Sequence, residues 1–369
     1  MSAQNTQSSR SQLIRTDMIA RMVHLQTSTA GAANLVFAPV RQSDSLTGEY
    51  QALVGDGFLD FDRDDIFSPK AELAEPARTA QKYARLTYEI QKRRFGRLDL
   101  DLIDLADKRA RGLDPIEDHS RRELPKAITV HARLLAQRMA STGADRAFPA
   151  DATSTTGYDF RDPAADLRGA IDEAIEFMHE RGAFGDLVDG SFVAIVGNRR
   201  VARPLARNLQ IADSRFIASA GAGDEIIELG GNPEGLLQEF FSSQFDAPVP
   251  IRWVPDNQFG RAGGQIVPVF SDDLYVVLVT PDGIGGFVST PVPDWAEVMD
   301  SALGDTAGAQ ALRAWDGPSP LAVIHEAEID VPRGWTAWVE SVFGLDFYGF
   351  GSSDVEQVFG YRIPDVLSS

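Results

Sequence analysis

The amino-acid sequence predicts an α+β fold, and three stretches support this prediction. Asp114 to Thr142 has the pattern of one long helix with a single apolar face. Lys82 to Lys92 alternates apolar and polar residues with a period of two, which is typical of a strand with one covered face. Residues 160 to 282 alternate predicted helices with short apolar strands, so we expect them to form a compact α/β domain.

Length and composition limit the classes of function open to this chain. Its 369 residues, 43% of them hydrophobic, can bury a substantial core in two or three domains. The net charge of -19 argues against strong binding of nucleic acid, because phosphates are bound by clustered Lys and Arg. The absence of Cys excludes disulfides and fits a reducing cytoplasm. No apolar run reaches the roughly 18 residues of a membrane span, so no membrane partner is expected.

Residues 1 to 45 differ in charge from the rest of the chain. They hold four Arg and two Asp, whereas the remainder carries a net charge of -21. Ser11 to Leu25 has helical spacing of apolar residues and predicts an amphipathic helix. Three alternatives stay open: a helix packed on its own domain, an arm packed on a neighbouring subunit, and an organellar transit peptide.

Residues 46 to 92 predict a long two-stranded hairpin. Glycines, prolines and a cluster of acids separate the strand at Lys82 to Lys92 from the apolar alternation that follows Gly48. The segment contains few core residues, and an isolated hairpin is only marginally stable in water. We therefore expect it to pack on a partner surface.

The long helix has a clear predicted start. Asp114 suits the N-cap, and Pro115 suits the first helical position. Pro125 predicts a bend, or a helix that starts nearer Ser120. The predicted buried stripe contains His131, which we interpret as a core histidine and not as a metal ligand. The other stripe positions are Leu124, Ala127, Ile128, Leu134, Leu135 and Met139.

The α/β segment follows a Gly-, Ser- and Thr-rich link at residues 141 to 158. A helix is predicted from Asp162 as N-cap to Gly182, with its buried face at Leu167, Ala170, Ile171, Ala174, Ile175 and Met178. Further helices are predicted at Arg199 to Leu209 and from Asn232 to Phe241. Strands are predicted at Phe192 to Val196, Ile251 to Val254, Gln265 to Phe270 and Leu274 to Thr280.

The usual catalytic and cofactor motifs are absent from the sequence. There is no G-x-S-x-G elbow, phosphate-binding loop, G-x-G-x-x-G fingerprint or H-E-x-x-H motif. Asp60, Asp62 and Asp64 imitate a calcium loop, but Asp65 and Ala71 occupy positions that require Gly and Glu. We interpret the alternating Leu and Asp residues at 98 to 107 as a strand-like stretch with one solvent-exposed face. We predict no enzyme activity, no cofactor and no metal.

The order of these elements resembles that of the major capsid proteins of tailed bacteriophages, with the Hong Kong 97 type fold. The likeness covers residues 46 to 282 and the closing F-G-Y-R-I-P-D-V-L. Its other stretches are T-G-E-Y at Thr47, the Lys82 to Lys92 strand, D-P-I at Asp114, D-P-A-A-D-L at Asp162, F-V-A-I-V-G-N at Phe192 and S-D-D-L-Y-V-V-L-V-T-P at Ser271. The resemblance implies five parts: an N-terminal arm (1–45), an extended E-loop (46–92), a peripheral domain with the spine helix (93–150), an axial domain (151–334) and peripheral closing strands (335–369).

The resemblance also implies a function and a set of partners. Copies of the chain would assemble as hexamers and pentamers into an icosahedral virion shell around double-stranded DNA, in the cytoplasm of a bacterial host. Portal, scaffolding or decoration proteins are the expected partners, and contact with the packaged DNA should be weak and non-specific. Some members cross-link a Lys of the E-loop to an Asn of a neighbour. Lys70 and Lys82 could supply the amine, but Asn257 is the last Asn, so we expect a non-covalent shell.

The expected assembly contacts lie on the arm, the hairpin and the spine helix. They are Leu13, Ile14, Met18, Met22, Phe58, Phe61, Phe67, Tyr83, Tyr88, Arg121 and Arg122. Two alternatives stay open. One is the shell protein of an encapsulin-like bacterial nanocompartment, and the other is a soluble α/β enzyme with a small-molecule pocket in residues 160 to 282.

Overall fold

The computed structural model confirms the predicted α+β class. It describes residues 9–14, 37–38, 40–42, 47–54, 82–141, 147–184, 187–212, 232–245, 247–256, 258–262, 265–281, 286–289, 323–330, 333–346 and 360–367.

The strands and helices are numbered separately along the chain. The strands are β1 Ser9–Ile14, β2 Val40–Gln42, β3 Thr47–Val54, β4 Lys82–Glu89, β5 Gln91–Asp101, β6 Phe192–Asn198, β7 Ile251–Asp256, β8 Phe259–Ala262, β9 Gln265–Pro268, β10 Leu274–Val279, β11 Gly286–Ser289, β12 Val323–Asp330, β13 Arg333–Asp346 and β14 Gly360–Ile363. The helices are α1 Leu102–Ala110, α2 Pro115–Ala140, α3 Leu167–Glu180, α4 Arg199–Leu205 and α5 Pro233–Gln244.

One sheet carries the long helix. Its strands lie in the order β1-β12-β13-β11-β2, and β5 also pairs with β13. Helix α2 packs against β13 and β5. Leu124, Leu135 and Met139 are buried and Leu134 is partly buried, so the predicted apolar stripe is confirmed.

The second sheet forms the α/β core, in the order β14-β10-β6-β7. Strands β6 and β7 are parallel, and β10 is antiparallel to both β6 and β14. Every residue of β10 is buried, as its continuous apolar sequence indicates for a strand covered on both faces. The predicted buried face of α3 is confirmed at all six positions.

Helix α3 starts later than the sequence predicted. The Asp162 carboxylate accepts from the backbone N of Ala164 (2.9 Å) in a turn, and the helix begins only at Leu167. Asp166 is the N-cap, and its carboxylate accepts from the backbone N of Gly169 (2.9 Å). The predicted cap at Asp162 is wrong because a short polar side chain also stabilises turns that do not continue into a helix.

Two further helix predictions fail in part. The predicted amphipathic helix at Ser11 to Leu25 is wrong over its first residues, because β1 is a strand that pairs antiparallel with β12. The edge of β12 supplies backbone partners that the local apolar pattern cannot reveal. The helix predicted at Arg199 to Leu209 is shorter, since α4 ends at Leu205 just after Pro204.

The Leu- and Asp-rich stretch at residues 98 to 107 is half strand and half helix. Strand β5 ends at Asp101, whose carboxylate accepts from the backbone N of Ile103 (3.0 Å) and caps α1. Leu105 is buried on the inner side of α1, whereas Asp104 and Asp107 are exposed. The strand prediction is therefore wrong beyond Asp101, because a good N-cap there starts a helix.

Helix α2 begins where its sequence signals place the start. The Asp114 carboxylate accepts from the backbone N of Ile116 (3.0 Å) and of Glu117 (3.3 Å). The helix is continuous through Pro125 to Ala140, so the alternative start near Ser120 is wrong. The bend at Pro125 stays a prediction.

Strand pairing crosses the domain boundaries that the resemblance implies. Strands β11 and β12 pair with β13 or its neighbours in the first sheet, whereas β14 pairs with β10 in the α/β sheet. The boundaries at residues 334 and 335 stay a prediction. Within the described ranges, no helix is long and apolar enough to cross a bilayer.

Candidate assembly surfaces

The predicted hairpin is present as strands β3 and β4. They pair antiparallel in continuous register, from Thr47 opposite Glu89 to Val54 opposite Lys82. Among the described strands, neither pairs with a third strand. The base of the hairpin lies against β13, where a Cβ on Gly344 would overlap the carbonyl oxygen of Glu89. A glycine at position 344 is what allows this close approach.

The predicted contact residues that the structure describes lie on three elements, β1, β4 and α2. Tyr83 and Tyr88 both lie on β4. Leu13 and Ile14 are adjacent on β1, opposite Glu326 and His325 of β12. Five predicted contacts lie outside the described residues: Met18, Met22, Phe58, Phe61 and Phe67.

Arg121 and Arg122 are exposed on α2, and their role as contact residues stays a prediction. The guanidinium of Arg121 lies 2.5 Å from the Glu117 carboxylate, one turn away. An exposed pair of this kind contributes only about 0.3–0.5 kcal/mol to the helix. Arg121 is therefore available to exchange partners at little cost.

The predicted core histidine is confirmed. His131 is buried, its Nδ1 lies 2.5 Å from the carbonyl oxygen of Ala127, and its ring lies 3.8 Å from that of Phe343 on β13. Burial lowers the pKa of His131 to about 3, and the nearby positive charge of Arg93 acts in the same direction. The imidazole is neutral at pH 7 and joins the helix to the sheet.

A buried ion pair joins the long helix to the α/β core. The Asp273 carboxylate, just before β10, accepts from Arg362 on β14 through Nε and Nη2, both at 2.9 Å. Nη1 of the same guanidinium donates to the carbonyl oxygen of Ala140 at the end of α2 (2.9 Å). One side chain thus connects the second sheet to the last turn of the helix.

The other partners of Asp273 complete its shell of donors. Its carboxylate also accepts from the hydroxyls of Ser271 (2.7 Å) and Tyr275 (3.0 Å) and from the backbone N of Asp365 (2.9 Å). Burial alone would raise the pKa of Asp273, but the donors and the positive charge of Arg362 outweigh burial and hold that pKa below its usual range. The Asp273 carboxylate is therefore held ionised.

Asn198 hydrogen-bonds to the segment that leads into β10, just before Asp273. It is completely buried at the end of β6, and its Oδ1 accepts from the backbone N of Arg200 (2.8 Å) and Val201 (3.0 Å) to cap α4. Its Nδ2 donates to the carbonyl oxygens of Phe270 (3.1 Å) and Ser271 (2.8 Å). One amide therefore fixes both a helix start and the chain entering β10.

An open acidic groove of about 500 Å³ runs beside α3. It is lined by Gly169, Asp172, Glu173, Glu176, Phe177, Glu180 and Tyr361. The carboxylate of Glu173, in the wall of the groove, accepts from the hydroxyls of Ser154 (2.8 Å), Tyr158 (2.7 Å) and Tyr361 (2.6 Å).

The protonation states of Glu173 and of the tyrosines beside it suit a structural hydrogen-bond network better than acid–base catalysis. Burial alone would raise the pKa of Glu173, but the three hydroxyl donors outweigh it and lower that pKa. Burial and the neighbouring carboxylate raise the pKa of Tyr158 to about 12. A carboxylate that is held ionised, beside tyrosines that are held protonated, is poorly matched to acid–base work near neutral pH.

The groove also lies in the wrong place for the enzyme alternative. Ligand sites of α/β sheets lie at strand ends, whereas this groove follows the side of one helix. In the part of the chain that the structure describes, there is no group of three or more His, Cys, Asp or Glu that could hold a metal ion. The calcium-like loop at Asp60 to Asp65 lies outside the described residues.

Sequence reasoning missed the Asp273–Arg362 pair and the role of Asn198. Asp273 and Arg362 are separated by 89 residues, and neither stands in a local pattern that signals a partner. Asn198 has a weak signal, since it follows a buried strand and precedes a helix, as an N-cap does.

No family model matches the sequence, and no curated protein matches it either. Among solved structures, the chain is similar to a phage-related protein from Bordetella bronchiseptica RB50, with a TM-score of 0.58 and 12% identity, over 97% of this chain and 99% of that one. Lower scores relate it to the capsid of cyanophage P-SCSP1u (0.46, 12% identity, 98% and 91% covered). A holo-SrpI encapsulin complex from Synechococcus elongatus PCC 7942 also scores lower (0.43, 10% identity, 92% and 90% covered). The predicted resemblance to a phage protein is confirmed at the level of fold, through the Bordetella protein.

Proposed function

We propose that this chain is the major capsid protein of a tailed bacteriophage. The observation that carries the proposal is the likeness to a phage-related protein over nearly the whole of both chains. The hairpin β3–β4 supports it, because a two-stranded sheet without a third described strand needs a surface to pack on. A second copy of the chain supplies that surface in a shell.

In the proposed function, hexamers and pentamers form an icosahedral shell around double-stranded DNA. The shell is non-covalent and assembles in the cytoplasm of the bacterial host, with a portal, scaffolding or decoration protein as partner. The net charge of -19 supports weak, non-specific contact with the packaged DNA. No catalytic step is assigned to the chain, and the groove beside α3 is treated as structural.

Expression of the chain in bacteria, followed by electron microscopy of purified material, tests the proposal. Closed icosahedral particles are the expected result, with or without a co-expressed scaffold. A stable monomer under all assembly conditions would contradict it. If particles from the native source enclose a cargo enzyme and no DNA, the chain is the shell protein of a bacterial nanocompartment and not of a phage.

A further inference from the structure

The hairpin β8–β9 exposes apolar side chains that the fold does not use. Phe259 is 47% exposed and Ile266 is 70% exposed. In the register of the hairpin, Phe259 pairs with Pro268, and Ile266 lies two residues before Pro268 on the same strand, so these three residues share one face. The two strands pair with each other and with no other described strand.

The opposite face of this hairpin is open as well. A Cβ built on Gly260 would meet no atom within 4 Å, and Gln265 is exposed. Gly260, Val267 and Pro268 are half-buried, so the hairpin is partly covered near its base, whereas Phe259, Gln265 and Ile266 are exposed. A free hairpin with exposed Phe and Ile is marginal in water and is a liability for a monomer.

The base of the hairpin is nevertheless firmly held. The buried Asp256 carboxylate accepts from the backbone N of Gln258 (3.1 Å) and of Phe270 (3.2 Å), one on each side of the hairpin. Asn198 Nδ2 donates to the Phe270 carbonyl oxygen (3.1 Å). Both ends of the hairpin are thus hydrogen-bonded to the core.

Charge indicates what can cover this face. The chain holds 54 acidic and 35 basic residues and has a net charge of -19, so two copies repel each other on average. Residues 257 to 271 contain no Asp or Glu and one Arg. An apolar, acid-free surface on an acidic protein is one through which two copies can approach without like-charge repulsion.

We propose that the β8–β9 hairpin is a self-association surface, through which Phe259 and Ile266 of one copy pack on a second copy of this chain. The inference rests on the proposed function, since it names one surface by which subunits of a shell meet. Phe259 and Ile266 are not among the assembly contacts that the sequence predicted.

The test is a double variant, F259S with I266S, compared with the wild type in the shell-forming assay. Burial of apolar side chains stabilises an interface. Replacing both with Ser should therefore raise the protein concentration needed for assembly by at least about tenfold. The matched control is I103S with L209S, because Ile103 (77%) and Leu209 (52%) are as exposed but lie elsewhere. Circular dichroism and cooperative thermal unfolding check that each variant is folded.

Unchanged assembly of the hairpin variant, or an equal loss in the control, would overturn the inference while the wild-type shells still support the proposed function. A wild type that never assembles would instead contradict the proposed function itself. A second measurement uses I266C, since the chain has no other Cys and a thiol-reactive fluorophore labels this position alone. Assembly should shift the dye emission to the blue, and an unchanged spectrum in complete shells would contradict the proposal.

Discussion

The second sheet and the hairpin β3–β4 differ in how much of each is covered by the rest of the subunit. In the second sheet, β10 and almost all of β6 are buried, and helices α3 and α5 supply further buried residues to the same core. In the hairpin, β3 and β4 pair only with each other among the described strands. From this difference we predict a core that is stable by itself and an extension whose stability depends on a surface outside the subunit.

The largest expected effect of a single substitution is on the buried ion pair. Asp273→Asn should lower the free energy of unfolding by about 3–5 kcal/mol, because it leaves the Arg362 charge buried and without its counter-charge. Urea unfolding of the subunit measures this change. Asp107→Asn is the control, since the exposed Asp107–Arg111 pair (2.9 Å) is expected to contribute about 0–1 kcal/mol. Equal effects of the two substitutions would show that burial is not what distinguishes the core.

A smaller loss is expected from a cavity in the same sheet. Ile195→Ala, at a completely buried position of β6, should cost about 3 kcal/mol of unfolding free energy. Thermal unfolding should remain a single transition at a lower midpoint, because the sheet and its helices share one core. Separate transitions for the sheet and the long helix would contradict the single core.

His131 should make the contact between helix and sheet sensitive to acid. The folded pKa of about 3 lies below the ordinary value of 6.5, so the unfolded chain takes up a proton first as the pH falls. Stability is complete above about pH 6.5 and is lost as the pH falls toward 3, with a loss of about 2 kcal/mol by pH 5. Unfolding by urea at pH 7 and pH 5 measures this loss, and His131→Leu should remove most of the His131 contribution. The same pH dependence in both proteins would assign it to other groups.

The sequence predicted the parts of the fold whose causes are local. The apolar spacing in α3 identified every buried position from Leu167 to Met178, and Asp114 with Pro115 identified the start of α2. The alternation predicted at Lys82 to Lys92 identified β4, although β4 ends at Glu89 and Gln91 already begins β5. In each case, neighbouring residues alone determine the periodicity or the cap.

The failures have non-local causes. Leu13 and Ile14 fit a helical stripe, but pairing with β12, more than 300 residues later, makes them part of a strand. Contacts such as Arg362 with Asp273 depend on two distant segments meeting in the fold. The exposed apolar face at Phe259 and Ile266 was missed because an apolar strand pattern does not say whether its face is covered.

We propose that the β3–β4 hairpin serves assembly and not the stability of the subunit. Thr47 and Glu89 are direct partners in the antiparallel register, so residues 48–88 can be replaced by a two-residue turn without moving the ends. We predict that this subunit unfolds cooperatively, within about 1 kcal/mol of the wild-type free energy, and forms no particles. A subunit that fails to fold, or one that still forms closed shells, would contradict the claim.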